Sequence, residues 1–122
     1  MEKQTLFAYV KQQYGTEPEY LWNDENAVLR RKDSGKWYAA VLPVCGDKLG
    51  LSAELTVDIL NVKCDPILIG SLRQQAGFHP AYHMNKEKWI SIRLDGSVDA
   101  VQIENLLAIS YELTAPKKNG RK

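Results

Sequence analysis

The sequence predicts an α+β fold: a single compact domain with a mostly antiparallel sheet packed by N-terminal, central and C-terminal helices. Three observations carry this. Residues 66–76 read as a helix with both ends marked, because Asp65-Pro66 supplies a capping carboxylate and a proline at the first helical position, and Gly77 follows. Residues 89–94 alternate strictly, with Trp89, Ser91 and Arg93 opposite Ile90, Ile92 and Leu94, as a half-buried strand requires. Residues 27–31 and 37–43 are apolar runs around Asp33-Ser34-Gly35, the chemistry of a β-hairpin turn. The order of these segments suits helices layered on one side of a sheet of about four to five strands.

The remaining elements follow in chain order. Residues 3–14 read as a helix, since Leu6, Phe7, Val10 and Tyr14 form an apolar stripe and Gly15 ends it. Residues 16–25 form a loop whose Trp22 is expected to anchor in the core, as large aromatics usually do. After the hairpin, residues 44–57 are the least regular, with a turn expected over 45–50. The β-branched run ending at Cys64 reads as a strand leading into the central helix, on which Leu68, Ile69, Leu72 and Ala76 share a face. Phe78 to His83, with Pro80 inside, cannot be a regular helix, and Asn85-Lys86-Glu87-Lys88 suits one short turn. Asp95-Gly96 closes the alternating strand, and Ser97 is expected to cap a last helix over 98–113 that presents Ile103, Leu106, Leu107, Ser110 and Tyr111. Pro116 stops it. The domain is thus expected over 1–115, with a disordered basic tail over 116–122.

The 122 residues suffice for a core without disulfides or metal. No apolar run approaches the roughly 18 residues that span a bilayer, and the N-terminus lacks a signal-peptide core. The expectation is a cytoplasmic monomer with no membrane role, in which Cys45 and Cys64, lacking Cys-x-x-Cys spacing, are reduced thiols. The net charge of +1 is uneven: the segment 116–122 holds four of the sixteen basic residues and no acid, so the body is mildly acidic.

No catalytic, metal or cofactor set emerges. His79 and His83 are separated by Pro80 and lack further ligands at zinc-site spacing. His83 is expected in the core beside Trp89, with His79 exposed. Cys64, at a helix N-terminus, could form a nucleophilic set with His83 and Asp65, but a buried inert thiol is favoured. No phosphate-binding glycine loop is present. Nucleic acid remains, and double-stranded DNA is the candidate partner. Its candidate contacts are Arg30, Arg31, Lys32 and Lys36 at the hairpin tip, with Lys86, Lys88 and Arg93 near Trp89. The alternative is a ligand or partner patch at Tyr82, His83 and Trp89.

The run Cys64-Asp65-Pro66, Leu72-Arg73, Pro80-x-Tyr82-His83-Met84-Asn85-Lys86-x-x-Trp89 and Leu94-Asp95-Gly96-Ser97, with the later Ser110-Tyr111-x-Leu113, resembles the MmcQ/YjbR family of small bacterial proteins. The resemblance spans about Trp22 to Leu113. It implies a fold similar to the frataxin homologue CyaY and to a double-wing DNA-binding domain. Frataxins are similar in using an acidic ridge on the first helix, yet here that helix carries Glu2, Lys3 and Lys11 and no dense carboxylate face, so metal is discounted. The first functional expectation is therefore a non-enzymatic DNA-binding protein that contacts phosphates through a basic hairpin wing. The second is a protein-interaction or small-ligand-binding module with no nucleic-acid role.

Overall fold

Five strands form one antiparallel sheet in the computed structural model, which describes residues 1–117. They are β1 (Ala27–Arg30), β2 (Trp37–Cys45), β3 (Thr56–Lys63), β4 (Phe78–Pro80) and β5 (Trp89–Arg93), in the order β1-β2-β3-β5-β4. Helices α1 (Lys3–Tyr14), α2 (Pro66–Leu72) and α3 (Ala100–Leu113) complete the fold. The expected tail over 116–122 falls largely outside the described residues.

Strand alternation sends Leu29, Val41, Leu60, Val62, Ile90 and Ile92 to one face of the sheet. There they meet Leu6 and Val10 of α1, Ile69 and Leu72 of α2, and Ile103, Leu106 and Leu107 of α3. Each fully buried Leu or Ile contributes about 1.5–3 kcal/mol relative to its exposed state, so this face holds most of the stabilising apolar area. A buried polar seam fixes α3 on the sheet. Ser110 Oγ donates to the Tyr38 carbonyl and accepts the Lys63 N–H at 2.9 Å. Nearby, Tyr38 donates to Thr16 Oγ1 at 2.7 Å, and Tyr14 stacks on Tyr111 with ring centres 4.3 Å apart.

The end signals work as the sequence indicates for α1, where Gly15 adopts φ 68° and its N–H reaches Lys11 O. Asp65 likewise caps α2 through Ile67 N at 2.9 Å. Two local expectations are corrected. Helix α2 stops at Leu72, and turns carry the chain to Gly77 at φ 89°, where a Cβ would lie 2.5 Å from Val98 Cγ2. Gly77 thus serves a close approach to the start of α3. Ser97 does not cap α3; it accepts from Arg93 Nη2 at 2.7 Å, because the Arg93–Asp95 pair captures its hydroxyl, and Asp99 holds the cap position instead. Residues 78–80 form an edge strand, where Pro80 is tolerated because an edge position leaves its missing N–H unneeded.

The other face of the sheet is covered differently. The segment 46–55, which has little periodicity, folds as a short 3₁₀ turn (Gly46–Leu49) and loop over one end of that face. Leu49 and Leu51 join Val28, Leu42, Val44, Val57 and Ile59 in a second, smaller core. Gly46 is required there, since a Cβ would come within 2.2 Å of the Ser52 carbonyl oxygen. Among the described residues, none of the helices α1, α2 and α3 contributes to this second core.

Candidate functional site

The uncovered part of the second face holds a cavity of about 390 Å³. Cross-strand register builds its floor. Val28, Ala40, Asn61, Ser91 and His79 stand opposite one another in a single row across all five strands. The row is apolar over β1 and β2 and polar over β3, β5 and β4. Ala40, Leu42 and Asn61 form the floor, and the small Ala40 side chain leaves the space that a larger one would fill.

One wall is the Tyr82–Met84 segment, tied down by the polar half of that row. Tyr82 N donates to Ser91 Oγ at 2.9 Å, Asn61 Nδ2 donates to Tyr82 O at 2.9 Å, and Ser91 Oγ donates to Asn61 Oδ1. Asn61 and Ser91 are buried, so each bond also satisfies a group that would otherwise be costly to enclose. The opposite wall comes from the loop after α1, with Trp22, Asp24 and Asn26. Trp22 meets Trp37 edge to face, with ring centres 5.7 Å apart and planes at 89°. Two non-glycine residues take left-handed backbone conformations: Asn23 at φ 56°, in the chain between the lining residues Trp22 and Asp24, and His83 at φ 62°, itself in the lining. Such conformations cost of order 1–3 kcal/mol each and cluster where a site is held in a set shape.

The candidate residues divide between this cavity and other places. Tyr82 and His83 line it, with rings 4.1 Å apart. Trp89 is half-buried at the start of β5 opposite Lys63, away from the cavity lining. The alternation of Trp89, Ser91 and Arg93 places all three on the second face, as their spacing predicts. The histidines exchange the environments expected of them. His83 is exposed on Tyr82, because its left-handed backbone turns the chain outward. His79 is half-buried on β4, with Nε2 enclosed and without a partner among the described residues; burial, and next the nearby Arg93, push its pKa below the usual histidine value. Trp22, expected in the core, is 53% exposed. Cys64 is buried, which raises its thiol pKa, and Asp65 is occupied as a helix cap.

The basic residues also divide. Arg30 pairs with Glu19 at 3.1 Å. Arg31 grips Asp33 with two nitrogens, donates to Tyr111 O at 2.7 Å and lies 3.9 Å from the Tyr111 ring centre. Arg93 is held by Asp95 and Ser97. Lys32, Lys36, Lys86 and Lys88 are exposed and make no ion pair among the described residues. The pairing of Arg30 with Trp37 and of Lys63 with Trp89 puts the hairpin tip and the 85–88 turn at the same end of the sheet. Among the described residues, no group of three or more His, Cys, Asp or Glu side chains is placed to hold a metal ion, and no helix is long and apolar enough to cross a membrane.

Sequence reasoning missed Trp22, Asp24, Trp37 and Asn61 as cavity residues. The available signal was a tryptophan in a loop rich in acids, with a second tryptophan opening a strand. Nothing local shows that the two meet.

A five-stranded antiparallel sheet with helices on one face and an aromatic-lined cavity on the other defines a small α+β domain. The YjbR family model matches residues 11–113, and the chain belongs to that family. It is 40% identical over 116 residues to the uncharacterized protein YyaQ of Bacillus subtilis (strain 168), covering 93% of this chain and 98% of that one. A crystal structure of a Pseudomonas syringae protein is similar with a TM-score of 0.91 and 38% identity, covering 94% of this chain and all of that one. The crystal structure of a Deinococcus radiodurans protein is similar with a TM-score of 0.72 and 26% identity, over 99% of this chain and 83% of that one.

Proposed function

We propose that this chain is a non-enzymatic small-ligand-binding module, acting as a cytoplasmic monomer through the cavity on the second face. The observation that carries this is an aromatic-walled cavity on the sheet face opposite the three helices. Its volume lies within the range of about 300–1,000 Å³ common to small-molecule sites, and apolar walls with a few placed polar groups are their usual lining. Tryptophan fluorescence tests it directly, since Trp22 and Trp37 are in the lining. A panel of small aromatic, cationic and anionic fragments is titrated against the native chain and against Ala40→Leu, which fills the cavity floor. Saturable changes in the native protein that vanish in the filled variant are expected. A panel with no saturable change, or one unaffected by Ala40→Leu, overturns the proposal.

DNA binding is the second reading, favoured by the four lysines gathered at one end of the sheet. It predicts duplex affinity that falls steeply with salt, because each neutralised phosphate releases counterions. The hairpin wing offers only Lys32 and Lys36 for this, as Arg30 and Arg31 are engaged within the fold. Fluorescence anisotropy at two salt concentrations, with Lys32, Lys36, Lys86 and Lys88 all changed to Glu as the control, decides it. Unchanged binding in that variant rules out the lysine end as the contact surface.

A further inference from the structure

We infer that the cavity takes an organic cation, and specifically an alkylated ammonium group; this rests on the small-ligand reading above. Three features of the lining point to it. The first is the aromatic walls. Trp22 and Trp37 meet at 89°, so their faces form a corner, and Tyr82 stands on the facing wall. The negative faces of such rings attract a cation, and tryptophan does so most strongly.

The second is charge. Asp24 is the one carboxylate in the lining, and no lysine or arginine contributes to it. Asp24 Oδ1 accepts the Asn26 N–H at 2.9 Å, while Oδ2 has no protein partner among the described residues. A phosphate or carboxylate ligand would therefore enter a cavity with no lysine or arginine to pair it and with a like charge at the rim. A neutral ligand would leave that carboxylate without a counter-charge.

The third is the state of the hydrogen-bond acceptors. Asn61 Oδ1 is taken by Ser91 and Tyr82 O by Asn61. A primary ammonium carries three N–H donors; Asp24 Oδ2 can take one, while Asn61 Oδ1 and Tyr82 O are already engaged within the fold. A fully alkylated ammonium has none to satisfy, and its methyl groups pack on ring faces. The cavity thus combines π faces, one counter-charge and a floor whose Asn61 Oδ1 and Tyr82 O acceptors are engaged within the fold.

The test uses a matched pair of probes, choline and its uncharged carbon isostere 3,3-dimethylbutan-1-ol, titrated into the full chain. Tryptophan fluorescence and backbone amide shifts report occupancy. Choline is expected to bind at least ten-fold more tightly than the alcohol. Asp24→Asn keeps the acceptor for Asn26 and is expected to narrow that ratio several-fold, while Trp22→Ala, at an exposed position, removes most choline binding with the circular dichroism unchanged. Equal affinity for the two probes, or a preference for the alcohol, overturns the cation inference and leaves the cavity as a ligand site. Binding of neutral aromatic fragments with no response to choline does the same. If neither the pair nor any fragment binds, both the inference and the small-ligand reading fail.

Discussion

His79 shows how one side chain couples the second face to pH. Its Nε2 is enclosed without a partner among the described residues, and burial together with Arg93 disfavours the charged imidazole. The folded pKa is therefore below the ordinary value of about 6.5. The associated stability is complete above that ordinary value and is lost as the pH falls through the depressed one, because the unfolded chain binds the proton more readily. The urea midpoint of the native protein is expected to drop between pH 7 and pH 5. In His79→Gln the drop is expected to shrink; an unchanged slope would show that the imidazole is solvated in the folded state. The same residue marks a limit of sequence reading. Spacing puts His79 and His83 on an irregular segment, but which one turns inward depends on the φ of His83 and on the pairing of His79 with Ser91. Both are tertiary facts.

At the scale of the element, the β1–β2 hairpin separates residues that look alike in sequence. Arg31, Lys32 and Lys36 all read as exposed cations near a turn. Only Arg31 is fastened, to Asp33 in its own turn and to the C-terminal carbonyl and ring of Tyr111 on α3. The Arg31 hydrogen bonds hold the Asp33 carboxyl down at about 2, so the pair persists well into acid. Arg31→Ala is expected to destabilise the protein by about 2 kcal/mol, in the range for hydrogen bonds to charged groups. Lys32→Ala should stay within about 0.5 kcal/mol, as surface changes usually do. Chemical denaturation of both variants checks this, and equal effects would mean that the Arg31 contacts add nothing. It also follows that charge reversal at Arg31 would confuse loss of fold with loss of binding, so DNA tests belong on the lysines.

At the scale of the molecule, the two faces of the sheet differ in how much holds them. The helix face buries residues from every strand and all three helices, whereas the second face has a smaller core at one end and the cavity beside it. Local opening should follow that asymmetry. Hydrogen exchange is expected to be slowest in β3, the central strand, and fastest in the 46–55 loop and the edge strand β4. Bound ligand should slow exchange at 22–26 and 82–84; protection spread evenly over the chain would argue against binding in the cavity.

The sequence by itself determined the elements with strong local signals. Helix α1 with its glycine end, the Asp65-Pro66 start of α2, the hairpin and the alternation of β5 all stand where spacing and capping chemistry put them, because those signals act within a few residues. The family was also legible in a run of exact residues around His83 and Trp89. Tertiary structure alone decided the early end of α2, the edge strand at 78–80, the diversion of Ser97 to Arg93, and the cavity. Each depends on contacts between segments far apart in the chain. Trp22 meets Trp37 across a loop, Asn61 ties down Tyr82 from a different strand, and Ala40 lies beneath both only because of strand register. Periodicity reports which way a side chain faces, but not what stands opposite it, and that opposition is what makes the site.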